Sequence, residues 1–222
     1  MPQHDILTDK TAKALGTYYT DAQVADFLVW WAVRGSADTV LDPSFGGGVF
    51  LLAACRRLKL LGGSPCDQVF GVELDERVYQ AITSKLRQDF AITPRHLVCS
   101  DFFAIERPVN TPVDVVVGNP PFIRYQRFAG AARERARQQM VSAGVTLSAL
   151  TSSWLPFLIH SINQLKPGGR LAMVLPFEAH ACRLCSCWTA VSPAVFWQRQ
   201  SPHVPAKVVS RSERGHAAPA CR

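Results

Sequence analysis

The chain has 222 residues, of which 48% are hydrophobic and 18% are charged, and its formal net charge at neutral pH is +7. This composition predicts a folded globular protein of one domain, or of one domain and a fragment. No apolar stretch is long enough to span a bilayer, and the polar N-terminus lacks the apolar core of a secretory signal, so a cytoplasmic protein without a membrane partner is expected.

The positive charge is unevenly distributed along the chain. Residues 1–180 carry a net charge of +2, whereas residues 181–222 carry +5. Because most of the excess lies in the last forty or so residues, the overall charge alone is a weak indication of a nucleic-acid-binding face.

Helical and strand patterns alternate along the chain. Asp21 is the expected N-cap of a first helix, and Asp75 is the expected N-cap of a later one. Further helices are predicted at 49–61 and from residue 151 or 152, and strands at 39–41, 69–73, 96–99, 113–118 and 170–175. The alternation predicts an α/β fold with a parallel sheet covered by helices on both faces. Ligands in such sheets bind beyond the carboxyl ends of the strands.

The first strand leads into a glycine-rich turn, Asp42-x-x-x-Gly46-x-Gly48, that opens a helix. Glycines there let the backbone approach a ligand, and the helix N–H groups point towards it. The turn resembles the dinucleotide fingerprint but lacks its later glycine, and a carboxylate at Asp42 would repel a pyrophosphate. The Asp42 side chain suits a ligand with a cationic amino-acid end.

Two further acidic residues follow the next two strands. Glu73 is placed to accept hydrogen bonds from both hydroxyls of a ribose. Asp101 could accept from an adenine amino group, and Phe102 could lie over the base or offer it a backbone N–H. Any one of these acids could instead be a helix cap or a loop residue. Together with Asp42, they describe S-adenosylmethionine.

The fourth strand ends in Asn119-Pro120-Pro121-Phe122. The Asn119 side-chain oxygen and a carbonyl fixed by the prolines can accept both hydrogens of a planar amino group, and Phe122 can stack on the ring that carries it. Accepting both hydrogens returns electron density to a nitrogen that is otherwise a poor nucleophile. The alternative is that the two prolines only terminate the strand.

Three motifs in this order resemble the S-adenosylmethionine-dependent N6-adenine DNA methyltransferases, as found in type I and type IIG restriction-modification systems. They are the opening Gly16-Thr17-Tyr18-Tyr19-Thr20, the Asp42–Gly48 turn and Asn119-Pro120-Pro121-Phe122. The resemblance covers about residues 10–180, and Asp21 stands where the relatives usually have proline.

The resemblance implies a class I methyltransferase Rossmann-like fold and methyl transfer to the N6 amino group of adenine. The cofactor contacts that it implies come from Thr17, Tyr18, Asp42, Gly46, Glu73, Asp101 and Phe102. Asn119 and Pro120, with Pro121 beside them, would hold the target amino group, and Phe122 would stack on the extruded base.

An arginine-rich stretch follows the Asn-Pro-Pro-Phe motif. It contains Arg124, Arg127, Arg133, Arg135 and Arg137 against a single acid, Glu134. We expect this stretch, and the Arg124, Arg127 and Arg133 region in particular, to hold the DNA backbone beside the extruded adenine. The alternative is a solvated, partly helical face. A specificity or restriction subunit is a further expected partner.

The sequence changes character near residue 180. Residues 1–180 are predicted to be an incomplete methyltransferase domain and 181–222 an irregular basic tail, because the two further strands of a seven-stranded sheet are not recognisable there. The tail could be frameshifted or naturally disordered. A zinc site using Cys182, Cys185 and Cys187 is the weakest alternative, since no second cysteine pair accompanies them. We therefore expect a truncated enzyme with low activity and no metal.

Two other functions remain open from the sequence. The same tetrapeptide occurs in enzymes that methylate ribosomal RNA or a protein glutamine, although those usually lack the Gly-Thr-Tyr-Tyr-Thr opening. The chain could also be a non-catalytic subunit that binds cofactor or DNA.

Overall fold

The computed structural model describes residues 20–105, 111–121, 130–142 and 154–175, with the backbone alone at 131–133, 139 and 142. The helices are α1 (Ala22–Ala32), α2 (Val49–Leu60), α3 (Pro65–Gln68), α4 (Glu76–Phe90), α5 (Gly130–Ser142) and α6 (Trp154–Ile162). The strands are β1 (Val40–Asp42), β2 (Val69–Glu73), β3 (Leu97–Cys99), β4 (Val113–Gly118) and β5 (Leu165–Met173). Single 3-10 turns lie at Pro94–His96 and Phe102–Ala104. The proposed domain boundary near residue 180 and the tail lie outside the described residues.

The five described strands form one parallel sheet in the order β3-β2-β1-β4-β5. This confirms the predicted α/β class. The strand order reverses direction at β1, with β2 and β3 on one side and β4 and β5 on the other. Ligands of open parallel sheets bind beside such a reversal, at the carboxyl ends of the strands.

Alternate residues of the central strands point to opposite faces of the sheet and pack into two separate hydrophobic cores. Val40 of β1 and Val115 of β4 face a core that contains α1, α2 and α4. Leu41 and Val116 face the opposite core, which contains α5 and α6. All three valines and Leu41 are fully buried, and burial of each such side chain contributes about 1.5–3 kcal/mol. The predicted helical layers on both faces are therefore present.

The two predicted caps are confirmed. Asp21 accepts a hydrogen bond from the Gln23 N–H at 2.8 Å, and Asp75 accepts from Arg77 at 2.9 Å. Both carboxylates satisfy N–H groups that have no partner within the helix.

The buried face of α1 differs from the one that the sequence indicates. The apolar spacing predicts a face of Val24, Phe27, Leu28 and Trp31. Leu28 is buried, but Phe27 is 44% exposed and the buried residues around it include the small Ala25 and Ala32. Alanines on this face let α1 pack closely on α2, and the large ring of Phe27 then projects beyond that contact.

β5 begins earlier than predicted. The sequence indicates a turn at 166–169 and a strand from residue 170. In the structure Leu165 already pairs with Val113, while Arg170 pairs with Val115. The residues between them bulge out of the ladder, and Gly168 has a φ of +76° there, which permits the bulge. No helix in the described ranges combines the length and apolar character needed to cross a membrane.

Candidate active site

Four polar residues that the sequence singles out meet at the carboxyl edge of the sheet. Asp42 ends β1, Glu73 ends β2, Asp101 follows β3 and Asn119 follows β4. Short contacts connect the segments that carry the first three. The Gly46 N–H of the β1–α2 turn reaches the Glu73 carboxylate at 2.8 Å, and the Glu73 carbonyl accepts the Ser100 N–H at 2.9 Å.

Asp42 is a buried carboxyl that lacks a complete set of hydrogen bonds. It is 1% exposed, and its Oδ1 accepts the Ser44 N–H at 3.1 Å. Its Oδ2 has no hydrogen-bond partner among the described residues. Burial raises the pKa of Asp42 to about 8, and the nearby negative charge of Glu73 also raises it. The carboxyl is therefore neutral at pH 7 unless a cation contacts it.

Gly118 lets β4 pass close to this carboxyl. A Cβ atom built on Gly118 would lie 2.8 Å from the Asp42 Oδ1, and the φ of Gly118 is +155°. Any larger residue would collide with the carboxyl oxygen. The glycine thus brings Asn119, the next residue, to the neighbourhood of Asp42.

Glu73 forms hydrogen bonds to two loops at the edge of the sheet. Its Oε1 accepts the N–H groups of Leu74 and Asp75, both at 2.9 Å, and its Oε2 accepts the Gly46 N–H. Gly46 adopts a φ of +45°, which favours glycine at this turn. A carboxylate has about four acceptor sites, so one is left beside the three N–H groups. Acceptance of both ribose hydroxyls, as the sequence suggests, requires at least one of these bonds to be shared or released.

Asp101 is held on both of its oxygens. Its Oδ1 accepts the Phe103 N–H at 3.0 Å, which caps the 3-10 turn that follows. Its Oδ2 forms an ion pair with the Arg135 guanidinium at 2.6 Å. Asp101 is 21% exposed on its side chain, so the carboxylate also remains open to a ligand.

The Phe102 ring, which the sequence places either over a cofactor base or beside it, is buried in the core of this structure. The side chain is 3% exposed, and its ring lies 4.9 Å from the Phe157 ring and 4.3 Å from the His160 ring. The apolar ring enters the core between the sheet and α6, because the 3-10 turn directs it inwards. The alternative, a backbone N–H offered by Phe102 to the base, is compatible with its position in the first turn.

His160 contacts the backbone of the 3-10 turn at Phe102–Ala104 and of the residue that follows it. Its Nε2 lies 3.2 Å from the Phe102 carbonyl and 3.0 Å from the Ile105 carbonyl. Burial lowers the pKa of His160. The imidazole is therefore a neutral hydrogen-bond donor to the backbone that follows Asp101.

The described part of the arginine-rich stretch is α5. Arg135 pairs with Asp101, and Arg137 pairs with Glu134 at 2.7 Å on the helix surface. Both described side chains of this stretch thus contact carboxylates. The side chains of Arg124, Arg127 and Arg133, which the sequence assigns to the DNA backbone, lie outside the described residues.

Asn119 forms a hydrogen bond with a residue of the opening segment. Its Nδ2 donates to the Thr20 Oγ1 at 3.1 Å, and its Oδ1 is buried. Pro120 is buried beside it and Pro121 is half-buried. The expected contacts from Thr17, Tyr18 and Phe122 fall on residues outside the described ranges.

Sequence reasoning did not give three residues of this edge the positions that they have here, although Thr20 lies in the opening motif and Arg135 in the arginine-rich stretch. Thr20 contacts Asn119, Arg135 contacts Asp101, and Leu74 is 71% exposed directly after Glu73. Only Leu74 carried a usable signal, because an apolar residue between a strand-end acid and a helix cap has no core to enter. Its apolar side chain is therefore exposed at this edge of the sheet.

The hydrogen-bond acceptors at this edge suit the groups that S-adenosylmethionine carries. Asp42 has a buried oxygen without a described partner, which suits an ammonium group. The Asp42–Gly48 turn has the glycines that allow a close backbone approach, and Glu73 and Asp101 follow at the next two strand ends, in the order that the sequence predicts for ribose and adenine. Among the described residues, no cluster of three or more His, Cys, Asp or Glu side chains could hold a metal ion.

Known proteins share this chain's sequence pattern. The chain is 27% identical over 199 residues to the type II methyltransferase M.PaeR7I of Pseudomonas aeruginosa, a match covering 76% of this chain and 33% of that protein. It is 29% identical over 177 residues to the tRNA1(Val) (adenine(37)-N6)-methyltransferase of Aeromonas hydrophila subsp. hydrophila, covering 72% of this chain and 65% of that protein. The chain spans about a third of the length of the type II relatives.

The fold has counterparts among solved structures. The methyltransferase subunit of a type I restriction-modification system from Streptococcus thermophilus superposes with a TM-score of 0.57 at 24% identity. That match covers 72% of this chain and 34% of that one. A sequence model of the family described as N-6 DNA Methylase matches residues 5–179, which is most of the chain. The chain therefore belongs to the N-6 DNA methylase family.

Proposed function

We propose that this chain is the methyl-transfer domain of an enzyme that methylates the N6 amino group of adenine in DNA. The observation that carries the proposal is the position of Asn119, one residue beyond the Gly118 that packs on the buried Asp42 carboxyl. A group able to hold a planar amine thus lies next to a carboxyl able to hold the cationic end of a methyl donor.

S-adenosylmethionine, when bound, supplies an electrophilic methyl group. The Asp42 carboxylate would bind the ammonium of its amino-acid end, which explains why a buried carboxyl with an open oxygen lies at this position. Glu73 would accept from the ribose and Asp101 from the adenine amino group. The exposed Leu74 would cover one face of that adenine. Thr17 and Tyr18 would close the site from the opening segment.

Asn119 and Pro120 would make the target nitrogen reactive. The Asn119 Oδ1 and the Pro120 carbonyl accept the two amino hydrogens, which pulls the lone pair out of conjugation with the ring. The nitrogen attacks the methyl carbon, so that the new N–C bond forms as the methyl–sulfur bond breaks and S-adenosylhomocysteine would leave. The nitrogen gains positive charge in this step, and the two oxygens stabilise that charge without moving. The excess proton then leaves to solvent. Phe122 would stack on the extruded adenine, with Pro121 fixing the turn between them.

DNA is proposed as the substrate because the chain belongs to the N-6 DNA methylase family. Adenine in a duplex must leave the stack before its amino group can reach Asn119. Arg124, Arg127 and Arg133 would bind the flanking phosphates. Several structural relatives are subunits of type I restriction-modification systems, so a DNA-reading partner is proposed as well.

A second candidate substrate is adenine in RNA. It is favoured by the 29% identity to a tRNA adenine-N6-methyltransferase, of which the chain covers 65%. The chemistry at Asn119 would be the same in both cases. Only the surface around the extruded base would differ.

The test is a transfer assay with labelled S-adenosylmethionine on unmethylated plasmid DNA and on unmodified tRNA, with product nucleosides identified by mass spectrometry. We expect N6-methyldeoxyadenosine from DNA, at stoichiometric enzyme concentration. Asn119→Ala is the matched control and should give none. N6-methyladenosine from tRNA alone would favour the second candidate, and methylated cytosine or no product from a preparation that binds the cofactor would contradict the proposal.

A further inference from the structure

The structure contains a hydrogen bond between two residues that are 99 positions apart, Thr20 and Asn119. The Asn119 Nδ2 donates to the Thr20 Oγ1 at 3.1 Å in a partly buried position. Thr20 lies at the start of α1, on a different element from the Asn-Pro-Pro motif. The contact therefore joins the opening segment to the proposed amine-binding residue.

A side-chain amide has one donor end and one acceptor end, and only the acceptor end can bind the hydrogens of a target amine. If the Asn119 amide turned over, its Nδ2 would face the amino group and repel it. The Thr20 hydroxyl can donate as well as accept, but here it accepts from Nδ2, so this contact holds the amide with its Oδ1 on the side away from Thr20.

We propose that Thr20 is a positioning residue for methyl transfer, whose hydroxyl holds the Asn119 amide with its oxygen directed at the target amino group. This inference rests on the proposed function, because it assigns Thr20 a role only if Asn119 binds the amine. Thr20 would not itself touch the reacting atoms.

Both partners of the hydrogen bond are fixed to rigid elements. Thr20 precedes Asp21, whose side chain caps α1 and whose carbonyl accepts the Ala25 N–H at 3.1 Å. Asn119 follows Gly118, whose carbonyl accepts the Val174 N–H at 3.0 Å. Because α1 and the end of β4 are both held by backbone bonds, the Thr20 hydroxyl can fix the amide without a large loss of chain entropy.

The test compares three substitutions in the full chain. Thr20→Val removes the hydroxyl at nearly constant shape, and Thr20→Ser keeps it. Thr93→Val is the matched control, because Thr93 is also half-buried and its hydroxyl donates to the Cys66 carbonyl at 3.2 Å, away from this edge.

The kinetic readout separates positioning from cofactor binding. In Thr20→Val the single-turnover rate of adenine methylation should fall roughly 10- to 100-fold, while the Kd for S-adenosylhomocysteine should change less than about twofold. Thr20→Ser should recover most of the rate, and Thr93→Val should match the wild type.

A second readout does not need activity. The Asn119 side-chain NH₂ resonances, assigned with Asn119→Ala, should shift and exchange faster in Thr20→Val but not in Thr93→Val. Unchanged resonances, or an unchanged rate in an active enzyme, would overturn this inference and leave the proposed function standing. An equal loss of cofactor affinity would also overturn it, since Thr20 would then act on the cofactor. If the resonances change in Thr20→Val but the wild-type protein methylates no adenine, the result would instead contradict the proposed function.

Discussion

Asp42 should make the stability of the free protein decrease as the pH rises. Its pKa is about 8 in the folded protein, against an ordinary value of 3.8. Between these values the folded state keeps a proton that the unfolded chain has lost. The contribution of Asp42 to the free energy of unfolding is thus fully present below the lower pKa, and it is lost as the pH rises to about 8.

The size of this effect follows from the shift. Each pH unit in the interval removes about 1.4 kcal/mol from the free energy of unfolding. Between pH 6 and pH 8, where the folded carboxyl approaches its own titration, the expected loss is about 2 kcal/mol. Burial is the dominant cause, so the effect should be insensitive to salt.

The measurement is urea unfolding of the wild type and of Asp42→Asn from pH 5.5 to 8.5. The amide has nearly the shape of the neutral carboxyl and does not titrate. The difference between the two curves therefore isolates Asp42 from other titrating groups, such as His96 and His160, whose pKa values are lowered by burial. We expect the difference to change by about 2 kcal/mol in favour of the variant between pH 6 and pH 8.

Cofactor binding should show the complementary dependence. The ammonium of the cofactor requires an ionised Asp42, so binding releases one proton at pH 6–7 and the affinity rises about tenfold per pH unit there. Calorimetry of S-adenosylhomocysteine in two buffers of different ionisation enthalpy measures that proton. Parallel stability curves for wild type and Asp42→Asn, with no proton released on binding, would refute the reasoning.

Three further predictions concern the same edge. Asn119→Ala should abolish methyl transfer and leave the Kd for S-adenosylhomocysteine nearly unchanged, and a large loss of cofactor affinity would contradict its assigned role. Arg135→Gln should weaken cofactor binding about three- to tenfold in calorimetry, because Asp101 loses the group that orients its Oδ2, whereas Arg137→Gln on the same helix should bind normally. Tighter binding by Arg135→Gln would mean that the arginine competes with the cofactor. Gly118→Ala should lower the free energy of unfolding by about 1–3 kcal/mol in urea titrations, since the added Cβ would lie 2.8 Å from a carboxyl oxygen, and unchanged stability would show that β4 can move aside.

Much of the fold could be predicted because its signals are local. The run of valines in β4 and the two aspartate caps act on neighbouring residues, so the element boundaries there agree with the structure. The strand ends then place Asp42, Glu73 and Asn119 at one edge, since parallel strands of a sheet end together.

The features that the sequence did not indicate depend on how distant elements pack on one another. The sequence places Phe102 beside a ligand, but only α6, more than fifty residues later, determines that its ring is buried. The contact of Thr20 with Asn119 and that of Arg135 with Asp101 likewise join distant segments. The raised pKa of Asp42 depends on burial that no spacing of residues indicates.

The most direct test of the account is a crystal structure of the chain with S-adenosylhomocysteine. The account predicts the ligand at the carboxyl edge, with its ammonium on Asp42, its adenine amino group on Asp101 and its sulfur facing Asn119. A ligand bound elsewhere, or bound at this edge in the reverse direction with adenine beside Asp42, would contradict it.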